Sequence, residues 1–218
     1  MPQQDSVTIV CIADTHALYP EVDVPFGDIL IHAGDHAMSD WGRAEILDYD
    51  AWLGSLPHKH IVVVPGNHDR WMLDPALRRL VSHATILVDE SVEVLQLKIW
   101  GSGVTMLAGE PFGVGSPDDR ARLYATIPMD TNIVVTHTPP YGVMDRAPGS
   151  LHHSGCPELR QTVERIKPQL HVFGHVHVAH GVHGIGETMY ANAALLGPGG
   201  GIEAKPIVLR IPYALALL

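Results

Sequence analysis

Five short runs rich in valine and isoleucine each stop at a residue able to hold a metal or move a proton. That coincidence constrains the chain more than its composition does. Val7–Ala13 runs into Asp14-Thr15-His16, Ile29–Ala33 into Gly34-Asp35, and His60–Val64 into Gly66-Asn67-His68-Asp69. Asn132–Thr136 meets His137, and Leu170–Phe173 meets Gly174-His175-Val176-His177. β-Branched runs bounded by Gly, Pro, Asp or Asn read as strands. In extended chain, residues i and i+2 point the same way, so Asp14 and His16 face one side together, as do His175 and His177. A lone Asp or Asn after a strand is usually a turn former, and a lone histidine there is more often a hydrogen-bonded structural residue. Neither explanation covers five strand ends at once. In open α/β sheets the carboxyl edge of the strands is where ligands bind.

Further strands are expected at Thr85–Val88, Val92–Trp100, Thr188–Ala193 and Pro206–Ile211, with Thr85–Leu107 reading as consecutive antiparallel strands. Apolar residues at helical spacing mark Trp41–Leu56 (Ile46, Leu53, Leu56) and Arg70–His83 (Leu73, Leu77, Leu80). A third stripe, Cys156, Leu159, Val163 and Ile166, has Pro157 placed to open a helix and Pro168 to follow it. Strands apolar on both faces, alternating with helices, predict an α/β (α+β) fold: two mixed β-sheets packed as a sandwich and flanked by helices. No repeat, charge block or linker divides the chain, so residues 1–218 are expected to form a single domain.

Charge and composition narrow the function. Against 24 Asp and Glu stand 14 Lys and Arg, a net charge of −10, and duplex nucleic acid needs the opposite balance. No run approaches the roughly 20 apolar residues of a membrane span, and Met1–Thr8 carries no secretory pattern. A cytoplasmic protein with no membrane partner is the expectation. Two cysteines make no disulfide framework, and Cys11 reads as core. Gly197–Gly201 lacks the Lys-Ser/Thr of a phosphate loop, and no Gly-x-Ser-x-Gly elbow offers serine chemistry. The apolar ending Tyr213–Leu218 suits either core or a subunit contact, which leaves the oligomeric state open.

The donor types are informative. Imidazole, carboxylate and amide oxygen without thiolate suit borderline to hard divalent ions such as Mn, Fe or Zn. Seven candidates (Asp14, His16, Asp35, Asn67, His137, His175 and His177) are too many for one ion and suit two that share a carboxylate. Two dications against Asp14 and Asp35 leave a local charge of about +2 in an acidic protein.

Asp-Thr-His, Gly-Asp, Gly-Asn-His-Asp, Thr-His-Thr-Pro-Pro and Gly-His-Val-His, in this order, resemble the calcineurin-like metallophosphoesterase superfamily from about Val7 to Ala193. Gly27–His32, Trp52–Pro57, Gly155-Cys156 and Pro168–His175 resemble its metallophosphoesterase-domain-containing branch. The resemblance implies a double-sheet sandwich and two divalent metal ions, Mn first, with Fe, Zn, Ni or Co as alternatives. It implies that Asp14, His16 and His177 hold one ion, that Asn67, His137 and His175 hold the other, and that Asp35 bridges them. His68 would protonate the leaving oxygen, with Asp69 orienting its ring. The implied activity is hydrolysis of a small phosphodiester by metal-bridged hydroxide, with 3′,5′- or 2′,3′-cyclic nucleotides as the suggested partners. A phosphomonoesterase using the same site, and a non-catalytic metal-binding scaffold, are the alternatives. His36, Arg146, His152 and His153 are weaker substrate-contact candidates, and Asn192 is a candidate to orient a ligand histidine.

Overall fold

The computed structural model describes residues 6–38 and 40–212, so the reading of Tyr213–Leu218 lies outside the described residues. Alternation along the strands explains the layers. In β1 (Ser6–Ile12), Val7, Ile9 and Cys11 point one way and Val10 and Ile12 the other, and all five are fully buried. Only a strand covered on both faces permits this. β1 pairs in parallel with β2 (Ile29–His32), which pairs with β3 (His60–Val63), which pairs with the short β4 (Thr85–Ile86).

The second sheet begins with the hairpin β5 (Glu90–Val94) and β6 (Leu97–Ser102), followed in parallel by β7 (Ile133–Thr136) and β8 (Leu170–Phe173). The hairpin β9 (Gly181–Ile185) and β10 (Thr188–Asn192) completes it, with β10 parallel to β8. β11 (Ile207–Pro212) returns antiparallel to β1 as an edge of the first sheet. The spatial orders are β11-β1-β2-β3-β4 and β5-β6-β7-β8-β10-β9.

Ile9, Ile31 and Val62 of the first sheet meet Ile99, Val135 and Val172 of the second in one buried cluster, the interior of the sandwich. The outer face of the first sheet packs Val10, Leu30 and Val63 against Ile46, Tyr49 and Leu53 of α1 (Arg43–Ser55). Glu45 steadies the start of α1 by accepting from the Gly42 N–H at 3.0 Å. A four-residue helix, α2 (Pro75–Arg78), follows β3. The outer face of the second sheet packs Trp100, Val134 and Phe173 against α3 (Pro117–Tyr124) and α4 (Pro157–Ile166). The expected architecture of two packed mixed sheets flanked by helices is the one observed.

Three local expectations need correction, and two elements were not expected. Val92–Trp100 is two strands, because Leu95 and Gln96 both take positive φ (50° and 63°) and close a two-residue hairpin. Arg70–His83 is not one helix: Pro75 has no N–H to continue it, and a 3₁₀ turn at Arg70–Leu73 precedes α2. β4 runs parallel to β3, so Thr85–Leu107 is only partly antiparallel. α3 and β9 carried too weak an apolar period to be anticipated. No helix among the described residues is long and apolar enough to cross a membrane.

Candidate metal centre

The two sheets are stitched together at the carboxyl ends of their parallel strands. Ala13 and Ala194 form a bridge across the seam, and the Leu195 N–H donates to the Ala13 carbonyl at 2.9 Å. Asp14 and His16 leave β1, Asp35 leaves β2, and Asn67 and His68 leave β3. His137 leaves β7, while His175 and His177 leave β8. Asp14, His16, Asp35 and His175 all have positive φ (53°, 42°, 54° and 69°). Non-glycine residues pay about 1–3 kcal/mol for that region, and such strain gathers at functional sites.

Side-chain geometry gathers Asp14, His16 and His177 on one side and Asp35, Asn67 and His137 on the other, with the His175 ring packed beside His137. Asp14 Oδ1 lies 3.3 Å from His177 Nε2 and 4.0 Å from His16 Nε2, and those two nitrogens are 3.3 Å apart. Among the described residues, Asp14 Oδ1 is buried and makes no hydrogen bond, while Oδ2 accepts from the His175 N–H at 2.9 Å. Leaving a buried carboxylate oxygen unpaired is costly, and a cation among these three groups would satisfy it. On the other side, His137 Nδ1 donates to the Ala33 carbonyl at 3.0 Å, which turns Nε2 toward Asn67 Oδ1 at 3.0 Å and Asp35 Oδ2 at 3.2 Å. His175 packs edge-on to His137, with ring centroids 5.1 Å apart. Asp35 Oδ2 also lies 3.7 Å from His16 Nε2, whereas Oδ1 accepts from the His68 N–H at 2.9 Å. One oxygen of Asp35 therefore faces both groups.

Ligand atoms of Asp14, His16 and His177 cluster within 4.8 Å, as do those of Asp14, Asp35 and His137, and of His16, Asp35 and His68. The donors are nitrogen and oxygen only, and they fit divalent ions of borderline to hard character.

Glycines make this packing possible. A Cβ at Gly174 would lie 2.2 Å from Asp14 Oδ2, and one at Gly66 would lie 2.2 Å from Asp35 Oδ1. Gly174→Ala should therefore push Asp14 off its position and weaken metal binding by about 10–100-fold, the scale of disturbing groups that orient ligands. Equilibrium dialysis against Mn measures this, and unchanged uptake would show that the contact at Gly174 does not set the site.

Burial and mutual charge move several groups of the centre away from their ordinary pKa values. Burial alone would raise the Asp35 carboxyl, but the charge and hydrogen bond of His137, the His68 N–H and nearby His16 hold it well below the usual carboxylate range. Burial alone would lower His137, but Asp35, reinforced by Asp14, pushes it up to about 10. His175 is pushed down to about 4, by burial first and then by the positive His137. The two carboxylates thus favour the protonated form of the His137 ring, and a bound cation would take over that role. At pH 7, Mn uptake should expel about one proton per chain, and affinity should fall as pH drops. Calorimetry in buffers of differing ionisation enthalpy reads the proton directly; uptake without release would contradict the arrangement.

The remaining candidates fall elsewhere. Asp69 does not orient His68: its carboxylate accepts from the N–H groups of Gly66, His36 and Ala37 and pairs with His36 Nδ1 at 2.9 Å. The partner of His68 Nδ1 is the Met38 carbonyl at 3.3 Å. His36 is fully buried and presents no exposed surface to a substrate. His153 pairs with Asp145 at 2.8 Å and leans on Tyr141, while Arg146 and His152 are exposed. Asn192 holds the Met144 and Val176 carbonyls at 3.2 and 3.0 Å, and so fixes the backbone between His175 and His177 rather than an imidazole. Glu203 Oε1 caps the Gly199 N–H at 2.9 Å, which closes the glycine-rich loop on itself. Sequence reasoning missed Thr15 and His32, which pair at 3.0 Å under the site; a histidine inside an apolar strand was the available signal.

The family model for calcineurin-like phosphoesterases matches residues 7–179. A UPF0046 protein of Caenorhabditis elegans is 37% identical over 220 residues, covering 94% of this chain and 75% of the worm protein. Metallophosphoesterase domain-containing protein 1 of Homo sapiens is 33% identical over 236 residues, covering 93% of this chain and 70% of its own. The crystal structure of TT1561 from Thermus thermophilus shares the fold, with a TM-score of 0.60 over 86% of this chain and 88% of its own, at 13% identity. With the family match running through every strand end that carries a metal-ligand candidate, the chain belongs to the calcineurin-like phosphoesterase family.

Proposed function

We infer that this protein is a dinuclear metal-dependent phosphoesterase that hydrolyses small phosphodiesters. The observation that carries the reading is the placement of Asp35 Oδ2, 3.7 Å from His16 Nε2 and 3.2 Å from His137 Nε2. Asp14, His16 and His177 would hold one ion, and Asn67, His137 and His175 the other, with Asp35 shared. Two such ions, when bound, would supply an activated water and would neutralise the charge that builds on the phosphoryl oxygens.

The chain's own residues do the rest. The N–H groups of His175 and His68 hold one oxygen each of Asp14 and Asp35, which fixes where the two carboxylates point. His68 sits beside His16, ring centroids 4.9 Å apart, and is partly exposed on the open side. With Nδ1–H on the Met38 carbonyl, Nε2 is free to carry a proton to the departing oxygen.

A diester is favoured over a monoester by charge. A terminal phosphate is a dianion and calls for another cation, yet the arginine next to the Asn67-His68-Asp69 turn, Arg70, is paired with Asp40 at 3.5 Å. With Mn supplied, bis-p-nitrophenyl phosphate should turn over faster than p-nitrophenyl phosphate, and cyclic nucleotides are the natural diesters to screen next. Faster monoester cleavage would make this a phosphomonoesterase, and stoichiometric metal with no cleavage of either would make it a binding scaffold.

A further inference from the structure

We propose that His36 is a positioning residue that, with Asp69, clamps the turn after β2 to the turn after β3 and thereby sets Asp35 against Asn67 and His68. The proposal rests on the dinuclear reading of the same centre. The two turns grip each other reciprocally. Asp35 Oδ1, on the first, accepts from the His68 N–H of the second at 2.9 Å. Asp69, on the second, accepts from the His36 and Ala37 N–H groups of the first at 3.0 and 2.9 Å, and from the Gly66 N–H at 2.8 Å.

The His36 imidazole adds the fourth donor at 2.9 Å, which fills the lone-pair sites of a carboxylate. Both side chains are fully buried. In such surroundings a carboxylate tolerates no missing partner, so loss of the imidazole donor should loosen the Asp69 clamp.

A second contact extends the clamp to the turn after β1. The His36 ring lies on the His32 ring with centroids 4.0 Å apart, and His32 Nε2 pairs with Thr15 Oγ1 at 3.0 Å. Thr15 stands between Asp14 and His16. One buried polar layer thus runs beneath the three turns that carry Asp14, His16, Asp35, Asn67 and His68. Tyr49 of α1 closes it from below, 5.1 Å from the His36 ring. A histidine that merely filled space here would need no donor aimed at Asp69.

The test separates donor from volume. His36→Leu keeps the bulk and removes the donor, whereas His36→Asn places an amide N–H near the position of Nδ1. Mn binding is measured by equilibrium dialysis on each full-length variant, beside thermal unfolding without metal. The expected result is about 10–100-fold weaker binding in His36→Leu, recovery to within about threefold in His36→Asn, and no matching order in unfolding temperature. Wild-type affinity in His36→Leu would overturn the proposal, as would equal losses in both variants that track their unfolding temperatures. If His36→Leu does not fold, Asp69→Asn tests the clamp from its other side, and unaltered Mn affinity there would overturn it equally. Failure of the wild-type chain to bind two Mn ions would instead remove the dinuclear reading, and the proposal with it.

Discussion

Asp35→Ala should leave fewer than two Mn ions per chain and lower diester hydrolysis by about 10³-fold, the scale of losing preorganised charge stabilisation. The expectation comes from the uneven use of one carboxylate. Oδ1 is committed to the His68 N–H at 2.9 Å, so it holds the backbone of the next turn, while Oδ2 alone faces both ligand groups. Removing the side chain therefore does two things at once: it deletes the shared ligand atom and frees the Asn67-His68 turn. It also leaves His137 without the partner that raises its pKa to about 10, so its ring should titrate much nearer the ordinary histidine range. Asp35→Asn keeps the shape and an acceptor but not the charge, and should retain the fold with partial metal. Metal content by elemental analysis, paired with the His137 titration followed by NMR, decides the matter. Two ions retained in Asp35→Ala would exclude a shared carboxylate at this position.

His68→Ala should behave differently. Turnover of a diester with a poor alkoxide leaving group should fall by roughly 10²–10⁴-fold, the range for loss of general acid catalysis. With p-nitrophenolate leaving, which departs without a proton, the loss should be much smaller. Both ions should remain, because the groups around Asp14 and His137 are complete without His68. The measurement matters because His16, Asp35 and His68 also form a cluster tight enough to hold a cation. Equal losses on both leaving groups, together with a missing ion, would reassign His68 from acid to ligand.

Sequence alone determined a good deal. Runs such as Ile61-Val62-Val63 are apolar on both sides, and only a sheet covered on both faces accommodates them, so the layered sandwich was legible. The polar residues at five strand ends were legible for a related reason, since a carboxylate or imidazole ending an apolar strand has to be accounted for. Period alone could not separate β5 from β6, nor find the Pro75 break, because turns are set by φ at two or three residues. Nor could it say which side chains share partners.

Tertiary structure decided the division of labour. The family resemblance implied that Asp69 orients its neighbour His68, but folding brings three backbone N–H groups and His36 to that carboxylate first. His68 turns instead to the Met38 carbonyl. The physical reason is that a buried carboxylate takes whatever donors the fold delivers, and two of the residues supplying those donors to Asp69, His36 and Ala37, lie more than thirty positions away in the chain.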